Sequence, residues 1–297
     1  MTDFTKMRDQ MEKGAGFIAA LDQSGGSTPK ALALYGVDAN DYDSEEAMFA
    51  EIQRMRERII LAPDFTKDKV IGAILFEKTL NETIQGDAVP GHLWAKRGVV
   101  PFLKIDKGLE DEANGVQLLK SIPGLADTLA AAKAMGVFGT KERSVVHSAN
   151  ADGIAAIVDN QMAVAQEVIA AGMVPIIEPE VNIHSETKAQ AEDMLAATLM
   201  DRINALSEGQ DVMLKLTLPE QPGLYDALAD HPRVMRVVAL SGGYSTADAS
   251  ARLAKNHKMI ASFSRALTEG LQRDMSDADF VAALGANIKT IYDASIA

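Results

Sequence analysis

The chain contains no cysteine. Disulfides, thiolate nucleophiles and cysteine metal ligands are therefore excluded. The five histidines, His92, His147, His184, His231 and His257, lie on separate segments. None has the H-x-H or H-E-x-x-H spacing of a histidine zinc site, so no metal is expected. No apolar run reaches the roughly 18 residues of a membrane span, so no membrane association is expected. The opening residues, Met1-Thr2-Asp3-Phe4-Thr5-Lys6, lack the apolar centre of a signal peptide. An excess of positive charge is also missing: 29 Lys+Arg face 42 Asp+Glu, for a net charge of −13. Nucleic-acid binding, which needs a basic face, is thereby disfavoured. Local lysines and arginines can still hold a small anion in a cleft. A cytoplasmic enzyme fits all of these absences.

What is present is a repeating alternation of elements. Short apolar strands are predicted at Phe17–Leu21, Val70–Leu75, Val99–Ile105, Ser144–His147, Val174–Glu178, Val212–Leu216, Val234–Leu240 and Met259–Ser262. Helices are predicted over Asp152–Ala171, capped by Asp152, and over Thr187–Leu206, Ala247–Lys255 and Arg265–Arg273. A closing helix over Ser276–Asp293 has Ser276 or Asp277 as its cap. The long connection Thr28–Lys69 should hold an extra helix, Glu45–Ile60, whose mixed charges suggest a solvated face. Eight strands with intervening helices in a chain of 297 residues suggest a single-domain α/β fold over 1–297, a (β/α)8 TIM barrel. A doubly wound open sheet competes, but no G-x-G-x-x-G opens a helix after a first strand.

Charges stand repeatedly where the apolar strands stop. Val212-Met213-Leu214-Lys215-Leu216 carries a lysine in an apolar run. Burial is costly for an ammonium unless it is paired or neutral, and the neutral amine is a nucleophile. Val174-Pro175-Ile176-Ile177-Glu178-Pro179-Glu180 ends in two carboxylates, and Leu103-Lys104-Ile105-Asp106-Lys107 in charges of both signs. A barrel gathers strand C-termini on one rim. That rule selects Asp22, Lys104, Asp106, Lys141 or Arg143, Glu178, Glu180, Lys215, Ser241 and Arg265. Such a set suits an amine attacking a carbonyl, a carboxylic acid moving protons, and cations holding phosphate. The turns Ser241-Gly242-Gly243 and Ser262-Phe263-Ser264-Arg265 follow the last two strands, the usual phosphate position of barrels, where a helix N-terminus should also face the anion. Asp22-Gln23-Ser24-Gly25-Gly26-Ser27 offers a second group of donors. Two anion sites on one mouth imply a substrate phosphorylated at both ends.

At this point a resemblance becomes specific. Ile18–Ser24, Leu103–Gly108, Lys141-Glu142-Arg143, Pro175–Glu180, Leu214-Lys215, Leu240–Gly243 and Ser262–Leu267 occur in the order seen in class I fructose-1,6-bisphosphate aldolases, between about Gly14 and Leu267. The chain resembles the shorter bacterial branch. The resemblance implies reversible cleavage of fructose 1,6-bisphosphate to dihydroxyacetone phosphate and glyceraldehyde 3-phosphate through a lysine Schiff base, with no cofactor. It makes Lys215 the Schiff-base lysine and Glu178 the acid–base residue. Lys141 becomes the lysine beside that amine, Asp22 the aspartate aiding C3–C4 cleavage, and Glu180 a carboxylate pairing with the lysines. Ser241, Gly242, Gly243, Ser264 and Arg265 match the C1-phosphate loops, and Ser24, Ser27, Lys104 and Arg143 the C6-phosphate end. Ser264 stands where animal members have glycine. Those members end in a mobile tail with a catalytic tyrosine, whereas Tyr292 here falls within the predicted last helix, where packing competes with catalysis. A homo-oligomer is compatible with the family, whose animal members are tetramers. Sedoheptulose 1,7-bisphosphate as substrate, a transaldolase and a non-catalytic phosphosugar-binding protein remain alternatives, separated by relative kcat/KM, by an acceptor-sugar requirement and by a cleavage assay.

Overall fold

The computed structural model describes residues 3–297. Eight parallel strands form the scaffold: β1 (Phe17–Leu21), β2 (Val70–Leu75), β3 (Val100–Lys104), β4 (Gly139–Val146), β5 (Val174–Val181), β6 (Val212–Thr217), β7 (Val234–Leu240) and β8 (Met259–Ala261). They pair in chain order, as right-handed crossovers require. Their continuous apolar runs reflect burial on both faces, against the barrel interior and against the helices. β8 pairs with β7 through Val237↔Met259, Val238↔Ile260 and Ala239↔Ala261. No ladder joins β8 to β1 among the described residues, so the barrel is nearly closed, with a seam there.

The longer helices are α1 (Asp3–Lys13), α2 (Ser27–Leu34), α3 (Glu45–Leu61), α4 (Leu125–Ala134), α5 (Ala151–Ala170), α6 (Lys188–Asn204), α7 (Thr246–Leu253) and α8 (Asp277–Ser295). Several boundaries differ from the sequence reading. β4 begins at Gly139 rather than Ser144, which puts Lys141 and Arg143 inside the strand and His147 beyond it. α5 is capped by Asn150, whose Oδ1 accepts from the Gly153 amide at 2.9 Å, and not by Asp152. The helix expected over Arg265–Arg273 is a single turn, Arg265–Thr268, too short to build an appreciable dipole. The connection between β1 and β2 holds α2 as well as α3. Ser276 caps α8 as expected, its Oγ accepting from the Asp279 amide. Tyr292 lies in α8, packed at the margin of the core.

Two apolar regions result. The larger lies between the strands and the helices. The smaller fills the barrel itself, with Ile18, Ile74, Val100, Phe102, Ile176, Met213, Val238 and Ile260. Alternation along each strand sends every second residue inward. α1 closes the base, inserting Met7 and Met11, one helical turn apart, among these residues. Its end is held by Arg236, which donates to the carbonyls of Met11 at 2.9 Å and Gly14 at 3.1 Å. A cation there suits the partial negative charge of a helix C-terminus. Met11 is fully buried, so Met11→Ala should cost about 2–5 kcal/mol. Trp94 sits on the π-helical turn Leu93–Arg97 just before β3 and packs against the same basal cluster.

Candidate active site

The inward alternation that fills the barrel with apolar groups switches to charge in its last layer. β1 delivers Asp22 just past its end, β4 Lys141, β5 Glu178 and β6 Lys215. The register explains the gathering. Lys141 lies opposite Lys104 and Ile176, and Lys215 opposite Val238. The four groups form one unbroken file. Lys141 Nζ lies 2.7 Å from Asp22 Oδ2 and 2.9 Å from Glu178 Oε2, and Lys215 Nζ lies 3.0 Å from Glu178 Oε1. The contact to Glu178 Oε2 is a charge contact off the line of a hydrogen bond.

Lys141, Glu178 and Lys215 are buried and Asp22 nearly so. Burial alone would raise both carboxyls, but the surrounding ammonium groups outweigh it. Asp22 is held well below the usual carboxylate range by Lys141, Lys215 and Lys104. Glu178 is lowered by Lys141 and Lys215. Burial disfavours the Lys141 ammonium, yet Asp22, Glu178 and Asp106 raise it above its ordinary value. Lys141 is thus a fixed positive charge at neutral pH.

A second layer surrounds this file. Arg143 Nη1 lies 2.7 Å from Glu180 Oε2, and Lys104 Nζ 2.6 Å from Asp106 Oδ1. Glu180 therefore pairs with an arginine, not with the lysines as the sequence reading had it: two residues beyond Glu178 it has passed the lysine layer. Glu142, between Lys141 and Arg143, points to the outer face of β4. It is buried, neither oxygen has a hydrogen-bond partner among the described residues, and burial pushes it well above the carboxylate range. It takes no part in the mouth.

All the sequence-selected residues line one cavity of about 980 Å³: Asp22, Ser24, Ser27, Lys104, Lys141, Arg143, Glu178, Glu180, Lys215, Ser241, Gly242, Gly243, Ser264 and Arg265. At one side stands the Ser241–Gly243 turn. Gly242 (φ 57°) and Gly243 (φ 130°) adopt left-handed conformations, and a Cβ on either would come within 2.8 Å of Ile183. Only glycine fits, which leaves the backbone open to a close-lying anion. Arg265 adjoins this turn and pairs with no carboxylate among the described residues. Across the mouth, Ser27 Oγ donates to the Ser24 carbonyl at 2.8 Å and accepts from the Ser24 amide at 2.9 Å. Among the described residues, no group of three or more His, Asp or Glu is arranged to hold a metal.

Two residues of the site were given no role of their own by the sequence, Gln23 standing there only as one donor of its turn and Arg56 not at all. Gln23 is buried beside Asp22 and bonds Ser264 across the seam. Arg56 reaches it from α3, a helix read as solvated. A signal existed: position 56 lies on the buried stripe Met48, Ile52, Met55 and Ile59, where a cation is out of place.

Comparison with known proteins agrees with this geometry. Residues 5–223 match the family model described as fructose-bisphosphate aldolase class-I. The chain is 54% identical over 287 residues to a fructose-bisphosphate aldolase class 1 of Synechocystis sp., covering 97% of this chain and 96% of that one. A protein of the same description from Porphyromonas gingivalis is 50% identical, with 97% of each chain covered. Among solved structures, fructose-bisphosphate aldolase from Plasmodium falciparum, in a complex with TRAP and a small-molecule inhibitor, superposes with a TM-score of 0.81 at 19% identity, covering 99% of this chain and 94% of that one. That likeness shows the fold, a TIM barrel. A buried lysine–carboxylate file at the mouth of such a barrel, with a family match over most of its length, leaves one assignment: the chain belongs to the class I fructose-bisphosphate aldolases.

Proposed function

We propose that this lyase cleaves fructose 1,6-bisphosphate with Lys215 as its covalent nucleophile and Glu178 as its proton carrier, the whole chain, 1–297, acting as one cytoplasmic catalytic domain. The observation that carries the reading is the file Asp22–Lys141–Glu178–Lys215, with contacts of 2.7, 2.9 and 3.0 Å. Lys215 must lose a proton before it attacks the C2 ketone, and Glu178 Oε1 lies within reach to take it. The carbinolamine hydroxyl, protonated by Glu178, then leaves as water, and the C2–N bond becomes the iminium. Asp22 accepts the proton of the C4 hydroxyl. The C3–C4 bond breaks, its electron pair moves into the iminium, and the aldehyde glyceraldehyde 3-phosphate departs. The proton held by Asp22 returns to the enamine at C3, directly or through water, and addition of water to the iminium so formed releases dihydroxyacetone phosphate and restores Lys215 and the Asp22 carboxylate.

Lys141 keeps Asp22 and Glu178 ionised between proton transfers. Arg265, Ser264 and the Ser241–Gly243 turn hold the C1 phosphate. Ser24, Ser27, Lys104 and Arg143 lie at the C6 end, where a phosphate would exchange the Lys104–Asp106 and Arg143–Glu180 pairs for its own oxygens. A charge-for-charge exchange of this kind leaves little net cost beyond reorganisation. The test is reductive trapping. Borohydride with dihydroxyacetone phosphate should leave one adduct per chain, on Lys215, and Lys215→Met should abolish both adduct and turnover. An adduct on Lys104, Lys107 or Lys141 overturns the assignment.

A further inference from the structure

The barrel seam between β8 and β1 carries no ladder, yet it is bridged at the mouth. Gln23 Nε2, just after β1, lies 2.8 Å from Ser264 Oγ, just after β8. Behind Gln23 stands Arg56 of α3, only 1% exposed. Its Nη2 donates to the Gln23 carbonyl at 2.6 Å and to Gln23 Oε1 at 3.3 Å, and its Nη1 to Thr79 Oγ1 at 2.6 Å. No carboxylate pairs with Arg56 among the described residues, and its Nε has no partner. A buried guanidinium with no ion pair, offset only by the field of nearby Asp22, is costly and calls for a compensating role.

Donor and acceptor chemistry fixes the direction of this chain. A guanidinium only donates, so the amide oxygen of Gln23 must face Arg56. The amide NH2 then faces Ser264 and donates to its oxygen. No acceptor takes the Ser264 O–H among the described residues, so it is free to turn into the mouth that Ser264 lines. We propose that Arg56, Gln23 and Ser264 form an oriented relay that presents the Ser264 hydroxyl as an extra donor to the C1 phosphate and ties the phosphate loop to β1 across the open seam. The inference rests on the C1-phosphate reading above. Arg56 and Gln23 are positioning residues, since neither needs to touch the substrate. Burial lowers Arg56 only to about 10, so it is charged throughout the working pH range. Its charge polarises the amide in turn, and each bond in such a chain strengthens the next.

The test is a double-mutant cycle in the full enzyme. Dissociation constants for dihydroxyacetone phosphate and for inorganic phosphate are measured in wild type, Ser264→Ala, Gln23→Met and the double variant. Ser264→Ala should weaken dihydroxyacetone phosphate by about 10-fold, the scale of a hydrogen bond to a charged group. Gln23→Met, close in shape but unable to donate, should weaken it about 3- to 10-fold. The double variant should be no worse than Ser264→Ala, because the relay acts only through that hydroxyl. The loss should appear in KM for fructose 1,6-bisphosphate more than in kcat. Arg56→Met should reproduce Gln23→Met, and if it fails to fold, the Gln23–Ser264 cycle alone decides. Wild-type affinity in Gln23→Met, or additive losses in the double variant, overturns the relay. If wild type itself forms no borohydride adduct at Lys215, the active-site reading has failed; if it does and the cycle shows no coupling, only the relay has.

Discussion

Replacing Lys141 by methionine should destabilise the enzyme more than replacing Lys215, although only Lys215 is the proposed nucleophile. Lys141 touches two carboxylates, Asp22 at 2.7 Å and Glu178 at 2.9 Å, with its side chain 3% exposed. Lys215 touches one, at 3.0 Å. In Lys215→Met, Glu178 retains Lys141. In Lys141→Met, Glu178 retains Lys215 but Asp22 loses the only ammonium in contact with it among the described residues. Breaking a buried pair by deleting one partner costs about 3–5 kcal/mol. For a chain of 297 residues the unfolding entropy is about 0.6 kcal/mol/K, so Tm should fall by roughly 5–8 °C. The loss should depend on pH. In wild type, the lowered Asp22 and Glu178 contribute stability that is present above the unfolded carboxylate range, about 4, and lost as pH falls through their folded values. Without Lys141 this contribution shrinks, leaving only the pull of Lys215 and Lys104, so wild type and variant should differ most near neutrality and converge in acid. The double variant Asp22→Asn/Lys141→Met removes both charges and should recover about half of the loss. Calorimetry or circular dichroism melts from acid to neutral pH would measure all three. A Tm within a degree of wild type, or a gap that widens in acid, would refute the electrostatic account.

Glu178→Gln should lower kcat by about 10²–10⁴ while phosphate affinity changes little, as measured by steady-state kinetics and phosphate inhibition; near-normal kcat would remove Glu178 from proton transfer. Arg265→Ala should raise KM about 10-fold and weaken dihydroxyacetone phosphate, because the phosphate loses a charge-assisted bond to an exposed guanidinium that no carboxylate occupies among the described residues. An effect confined to glyceraldehyde 3-phosphate would move Arg265 to the other end of the substrate. Cleavage should survive exhaustive EDTA or phenanthroline, and substrate plus borohydride should inactivate the same sample; chelator-sensitive activity restored by zinc would overturn the Schiff-base route.

Much of the barrel was legible because parallel strands covered on both faces are written as uninterrupted apolar runs, as in Phe17–Leu21 and Val70–Leu75. β4 was half hidden for the converse reason. Gly139-Thr140-Lys141-Glu142-Arg143-Ser144 is polar on both faces, with Lys141 and Arg143 serving the mouth while Thr140, Glu142 and Ser144 are buried behind it. Neither α1 nor α4 was foreseen. The membership of α1 in the fold rests on Met7 and Met11 entering the barrel base, a tertiary fact with only a two-residue trace in the sequence. The charged site residues were readable because a charge ending an apolar strand is conspicuous. Their pairings were not. Glu180 meets Arg143 because of the β4–β5 register, in which Arg143 lies opposite Glu178 and within reach of the next inward residue. Gln23 carries no charge, and Arg56 lies on a distant helix, so neither stood out.

Trp94 is the chain's single tryptophan, and it lies at the closed base of the barrel while the substrate cavity opens at the other end. Its emission is consequently a private report from the base. A fluorescence melt follows the withdrawal of α1 and the loosening of Met7 and Met11, and a substrate titration should leave the signal almost unchanged. Phe76, which lines the mouth, offers the place for a second indole. With Trp94 changed to phenylalanine and Phe76 to tryptophan, the same instrument would watch the opposite end of the molecule, and the order in which the two ends come apart would be open to measurement.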